Sequence, residues 1–197
     1  MCHLFPSRTG HSQRYPYVLA AGLLASIPVC AQQAAEDLSH ASSIYLQAGR
    51  AQHHTDAVTA GITLPWGRWR MPLWGGELSG HWDLYLSRWS FRGAAGHDSS
   101  LVLGVTPTVR LRPEQGRAAW FWEAGIGATL ASQRYRPAGA EEFSTRFNFA
   151  SHLGLGINLG LQRRHELLLR LQHVSNASIK QPNPGAQFVQ LRYALHF

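Results

Sequence analysis

The sequence predicts an all-β protein: an eight-stranded antiparallel transmembrane β-barrel of the outer-membrane type, spanning about residues 41–197. Three observations carry that expectation. Apolar and polar residues alternate with a period of two in eight successive segments, as they do along strands with one apolar face. Seven tryptophans, six tyrosines and eight phenylalanines accompany a mean hydropathy of only -0.18. That combination fits strands that are apolar on one face, polar on the other, and girdled by aromatic rings. After the N-terminal region no segment carries about 20 apolar residues in succession, so no membrane helix is predicted.

In chain order, Ile44, Leu46 and Ala48 alternate with Ser43, Tyr45, Gln47 and Gly49, and Val58, Ala60, Ile62 and Leu64 with Thr59, Gly61 and Thr63. Leu78, Trp82, Leu84 and Leu86 then oppose Glu77, Ser79, His81, Asp83 and Ser87. Leu101, Leu103, Val105, Val109 and Leu111 oppose Gly104, Thr106, Thr108 and Arg110. The fifth segment sets Trp122, Ala124, Ile126, Ala128 and Leu130 against Glu123, Gly125, Gly127 and Thr129. The sixth sets Phe147, Phe149, Leu153, Leu155, Ile157 and Leu159 against Asn148, His152, Gly154, Gly156 and Asn158. Leu167, Leu169, Leu171, His173 and Ser175 form one face of the seventh, and Val189, Leu191, Tyr193, Leu195 and Phe197 one face of the eighth. Several approach the 9–11 residues that a tilted membrane strand needs.

Turn chemistry separates these runs: His53-His54-Thr55-Asp56, Arg92-Gly93-Ala94-Ala95-Gly96, Arg112-Pro113-Glu114-Gln115-Gly116, Pro137-Ala138-Gly139 and Pro182-Asn183-Pro184-Gly185. The stretch 65–76, with Trp66, Trp69, Trp74, Arg68 and Arg70, reads as an aromatic and basic belt at a membrane interface. The apolar set should face lipid, and the polar, glycine-rich set should fill the narrow interior. A soluble β-sandwich is the competing architecture. Its two ends would have to accommodate many tryptophans without one contiguous core pattern.

Residues 1–31 are expected to be a secretory signal and residues 32–197 the barrel. Arg8 and Arg14 precede an apolar run from Tyr17 to Ala25, and Val29-Cys30-Ala31 offers small-residue cleavage. Removing that segment removes both cysteines, Cys2 and Cys30, and with them any disulfide. Charge is basic, 18 Lys+Arg against 11 Asp+Glu, with Lys180 the only lysine. An export signal argues against nucleic acid as the partner and favours anionic lipid phosphates. An arginine-rich codon bias explains the charge equally well. No metal or organic cofactor is expected: His53 and His54 read as a solvated turn, and His165-Glu166 lacks the second histidine of a zinc-protease helix.

An even number of strands with both termini in the periplasm makes the seventh run outward. Glu166 then lies at its periplasmic end, with His173 and Ser175 at the external rim. Residues two apart on a strand lie roughly 6.5–7 Å apart at Cα. An imidazole can therefore lean onto the serine hydroxyl, the pairing that makes a weak nucleophile reactive. The pair continues a leucine stripe, which points to a lipid as substrate. By spacing alone the signal is weak, and a rim histidine beside a serine before a turn is the plainer reading.

Context sharpens it. His173-Val174-Ser175-Asn176-Ala177, then Lys180-Gln181-Pro182-Asn183-Pro184-Gly185 and a last strand ending in phenylalanine, resembles the lipid A 3-O-deacylase (PagL) family, which are eight-stranded outer-membrane barrels. The resemblance is concentrated in about the last 30 residues, with Phe121-Trp122-Glu123-Ala124-Gly125-Ile126-Gly127 as a further familiar run. It implies hydrolysis of the acyl ester at the 3-position of lipid A, within lipopolysaccharide of the outer leaflet, and a homodimer is compatible with it. His173 matches the family's general base, Ser175 its nucleophile, and Asn176 an asparagine whose side-chain amide helps to bind the oxyanion. Two positions depart from the family pattern. Its glycine two residues after that asparagine is Ser178 here, whose backbone N–H still donates unless the position requires positive φ. Its glutamate, 14 residues after the histidine, is Gln187, which can fix a tautomer but supplies no negative charge. Glu141 and Glu142, in an external loop, are alternative carboxylates. Glu166 is too far along the strand, and Asp83 and Glu123 should point inward.

The leading expectation is therefore a serine esterase acting on lipid A. The alternative is a non-enzymatic structural or adhesion barrel that retains a degenerate motif, for which Gln187 is the best argument. A barrel acyltransferase is a third class, but nothing in the sequence marks an acceptor site.

Overall fold

A computed structural model describes residues 37–197; the expected signal segment, residues 1–31, lies outside the described residues. The eight strands are β1 (Ser43–Ala51), β2 (Thr55–Leu73), β3 (Gly76–Gly93), β4 (Gly96–Arg112), β5 (Trp120–Ala131), β6 (Phe147–Leu159), β7 (His165–Ser175) and β8 (Ala186–His196). They close into a barrel in sequence order, each antiparallel to its neighbours, with Ser43 of β1 opposite His196 of β8. Closure leaves no unpaired sheet edge. One end of the barrel carries both ends of the described segment and the connections 74–75, 113–119 and 160–164; the other carries 52–54, 94–95, 132–146 and 176–185. We call them the terminal end and the loop end.

The alternation read from the sequence is realised as outside and inside. Leu46, Leu171 and Leu191 are 65%, 56% and 58% exposed on the outer wall, whereas Asp83, Thr106 and Arg192 are fully enclosed. Inward charges would be prohibitively costly without partners, and they are paired. Glu123 accepts from Arg110 at 2.8 Å and from Arg170 at 2.7 Å. Asp83 accepts from Arg170, Arg192 and the Tyr45 hydroxyl at 2.9, 2.8 and 2.6 Å. Glu166 holds Arg110 at 2.8 Å and lies 3.0 Å from His196 Nε2.

Two features differ from the sequence expectation. The interior is not uniformly polar. Towards the loop end it becomes an apolar plug of Trp89, Phe91, Tyr135, Phe143 and Phe188, with Ala57, Val102, Ala150 and Val174 around it. Tyr135 and Phe143 belong to the 132–146 connection, which drops into the barrel mouth and requires aromatic partners there. Phe91 and Phe143 meet Tyr135 edge-on at 4.9 and 5.2 Å, a favourable geometry. Secondly, the stretch 65–76, read as an aromatic and basic belt, is itself largely strand. β2 runs on to Leu73, with a bulge between Pro65 and Arg70 and pairing resumed at Arg70↔Ser79. Trp66 lies over Gly80, where any side chain would collide with its ring. Thr55 and Asp56 likewise belong to β2 rather than to the preceding turn.

Candidate active site

On β7 the outward rungs descend from Ser175 and His173 to Leu171, Leu169 and Leu167, and β8 sets Gln187 directly opposite His173. Period-two geometry puts Ser175 and His173 on one face, and their side chains meet: His173 Nε2 lies 3.0 Å from Ser175 Oγ. On the other side of the ring, the Gln187 carboxamide lies 2.7 Å from His173 Nδ1. Gln187, His173 and Ser175 therefore form one hydrogen-bonded line across the outer wall at the loop end. Both ring and hydroxyl are partly accessible, while Gln187 is exposed.

A carboxamide can present either of two atoms to the ring, and the choice decides the chemistry. With Nε2 of Gln187 donating to His173 Nδ1, the ring proton resides on Nε2, which donates to Ser175 and cannot act as its base. Turned about its last side-chain bond, Gln187 offers Oε1 to an Nδ1–H. His173 Nε2 is then free to accept the Ser175 proton. Only this second arrangement suits a general base.

The 176–185 connection builds the remainder of the site. Ile179 N–H donates to Asn176 C=O at 3.1 Å across a turn whose central residues, Ala177 and Ser178, have φ of 52° and 63°. Positive φ at both places is the pattern of a type I′ turn, which glycine or asparagine fills with least strain. The departure at Ser178 thus falls where the backbone is left-handed. Ser178 is exposed, and its N–H donates to no group among the described residues.

Asn176 is situated differently. It is 2% exposed; its amide donates to Ser144 Oγ at 2.8 Å and to Lys180 C=O at 2.7 Å. Its own N–H donates to Asn183 Oδ1 at 2.9 Å. Both amide hydrogens are thus committed to the loop, and neither is free for an oxyanion in this arrangement.

Three residues here carry no obvious signal in the sequence. Ser144 links the 132–146 connection to this loop through a 2.8 Å bond to Lys180 C=O. Gln52, in the β1–β2 turn, accepts the Gln187 N–H at 2.9 Å, fixing the start of β8 across the closing seam. Gly185 has φ of 70°, and a Cβ there would lie 2.8 Å from His173 Cε1. It reads as ordinary turn punctuation in the sequence, yet its bare Cα is the floor on which the imidazole rests.

Glu142 is held by Arg134 at 3.1 Å and Arg136 at 2.9 Å, and among the described residues Gln187 alone is hydrogen-bonded to His173 Nδ1. Glu166, Asp83 and Glu123 are all inside the barrel. Tyr135, beneath the loops, has its phenol pushed above the ordinary tyrosine range by burial; its hydroxyl bonds to Thr55 at 2.5 Å. No group of three metal-ligating side chains converges among the described residues.

A family model described as lipid A 3-O-deacylase (PagL) matches residues 56–196. The lipid A deacylase PagL of Bordetella bronchiseptica is 29% identical over 183 residues, covering 89% of this chain and 94% of that protein. The lipid A deacylase PagL of Pseudomonas aeruginosa is 30% identical over 183 residues, covering 90% and 94%. In three dimensions the barrel is similar to the crystal structure of the outer membrane enzyme PagL, with a TM-score of 0.67 and 24% identity over 79% of this chain and 99% of that one.

Proposed function

The chain belongs to the lipid A 3-O-deacylase (PagL) family, and from that premise we propose that it is an outer-membrane serine esterase that hydrolyses the 3-O-linked acyl chain of lipid A. The observation that carries the mechanism is the continuous line Gln187–His173–Ser175 at 2.7 and 3.0 Å, directly above the outward leucines of β7. The terminal end faces the periplasm and the loop end the exterior, so the site lies at the depth of the outer leaflet.

Ser175 Oγ attacks the ester carbonyl carbon as His173 Nε2 takes its proton. The tetrahedral intermediate collapses by breaking the bond to the sugar 3-oxygen, which receives the proton back from His173. The acyl-serine ester is then opened by water, whose proton passes through His173, and the fatty acid leaves with Ser175 restored. Gln187 orients the imidazole through Oε1 but adds no charge to stabilise the imidazolium. Ser178 N–H donates to the oxyanion. Asn176 joins it when its amide exchanges Ser144 or the Lys180 carbonyl for the substrate oxygen. Donors so placed contribute roughly 3–4 kcal/mol each in comparable acyl-transfer enzymes. The exposed Lys180 side chain pairs with a lipid phosphate.

Purified barrel in mixed micelles with lipid A tests this reading. Release of a 3-hydroxy fatty acid, together with fluorophosphonate labelling that is lost in Ser175→Ala, is the expected result. An intact substrate and no labelling would favour the non-enzymatic barrel, the reading that the loss of the acidic third member supports.

A further inference from the structure

On the side of the barrel away from Ser175, β3 presents two arginines to the outside, Arg88 and Arg92. They are exposed, share the outward face, and lie four residues apart, about 13 Å along a strand. Their neighbour Arg50 is neutralised by Asp56 at 2.8 Å. The registers Arg50↔Asp56 and Asp56↔Ser90 place that pair on the rung between them. Arg88 and Arg92 themselves make no ion pair or side-chain hydrogen bond among the described residues.

Below them the wall turns apolar. Arg88 lies opposite Leu101, and the next outward rungs down are Leu86↔Leu103 and Leu84↔Val105. There a groove of about 430 Å³ opens between Leu84, Leu103, Val105, Ala128, Leu130 and Phe147. It exists because outward Ala128 is small beside Leu130 and Phe147. Arg88 is thus the first polar residue above the apolar band of β3, with the groove opening below it towards β4 and β5.

We propose that this face is a second, non-catalytic lipid site. It takes a phosphorylated outer-leaflet lipid, its phosphate on Arg88 and Arg92 and one acyl chain in the groove. Guanidinium groups without protein partners match phosphate oxygens in a fork geometry that few other groups offer. The two arginines are set apart from the catalytic residues, since β3 and β7 are four strands apart in either direction around the eight, while the groove extends from β3 as far as Phe147 of β6. A lipid whose phosphate rests on Arg88 and Arg92 holds its headgroup on the face opposite Ser175. The inference rests on the membrane orientation proposed above but not on turnover.

Native mass spectrometry of the full barrel released from detergent reads this directly, in a Ser175→Ala background so that lipid is not consumed. With bis-phosphorylated lipid A, that protein should retain one more lipid per barrel than its Arg88→Gln/Arg92→Gln derivative, whose dissociation constant should rise by about tenfold or more. Fully dephosphorylated lipid A should give the lower number with both. With Ser175 present, the double arginine variant should deacylate at a rate within about twofold of the native chain. Equal lipid retention by both proteins overturns the proposal. So does loss of the extra lipid to millimolar inorganic phosphate alone, which marks a free-anion site, or a change from dimer to monomer on substitution, which marks a protein interface. Because retention is counted without hydrolysis, an inactive enzyme and an absent second site give different results.

Discussion

At position 187 a carboxamide replaces the carboxylate expected of the family, and it bonds to the imidazole at 2.7 Å in the place a carboxylate would occupy. Orientation is thus retained and charge is not. Gln187→Glu should raise kcat at neutral pH by about tenfold, well below the roughly 10^4-fold penalty of an aspartate-to-asparagine change in a serine protease, which arises largely from the wrong tautomer. A carboxylate also favours the protonated ring, so the acid limb of the kcat/KM profile should move to higher pH in this variant. A flat or lower rate at matched membrane abundance would remove Gln187 from the site. Ser175→Ala and His173→Ala should each abolish release of fatty acid while the barrel still folds, because both are rim residues outside the interior plug. The double variant should be scarcely worse than either single one, as for groups acting as a unit. At Ser178, with φ of 63°, glycine removes left-handed strain of about 1 kcal/mol. Ser178→Gly should therefore slow proteolysis of the 176–185 connection, and Ser178→Val should hasten it.

The strands themselves were legible from alternation alone, since every outward leucine of β7 and β8 is where period two puts it. What alternation could not give was the behaviour of β2 past Pro65. A bulge shifts the phase there, and Pro65, Gly67 and three tryptophans imitate a loop although pairing resumes at Arg70. Nor could it show that the loop-end interior is aromatic, because that depends on Tyr135 and Phe143 arriving from a connection without any period. Within the candidate site, His173 and Ser175 were legible as a pair from their spacing of two on one strand, and Gln187 only through the resemblance to the family. The register that sets Gln187 opposite His173 appears in the structure alone. Gln52, Ser144 and Gly185 were not legible, since their roles depend on loop geometry. Gly185 gives the clearest element-level prediction. Gly185→Ala must place a methyl 2.8 Å from His173 Cε1 at φ of 70°, so the ring moves or the loop does. Displacements of about 1 Å can cost 10²-fold, and kcat should fall by about that factor with little change in KM.

Across the whole molecule, the buried ionic network gives the wall its rigidity. Glu123 is central to it, touching Arg110 and Arg170 and lying 3.5 Å from His152. Glu123→Ala takes one of two carboxylate partners from each of two enclosed guanidinium groups, Arg110 keeping Glu166 and Arg170 keeping Asp83, and should cost about 3 kcal/mol in urea unfolding from lipid vesicles. The fraction that folds should keep near-native activity, because none of these groups touches the outer wall. That division assigns stability to the inside and, in the proposed mechanism, chemistry to the outside. The measurement that tests it most directly is tandem mass spectrometry of lipid A from cells carrying the native chain, Ser175→Ala, or neither. Loss of one 3-hydroxyacyl group, assigned by fragmentation to the 3-position and present only with the native chain, is the predicted result. Identical lipid A in all three, with the barrel folded in the outer membrane, would contradict it.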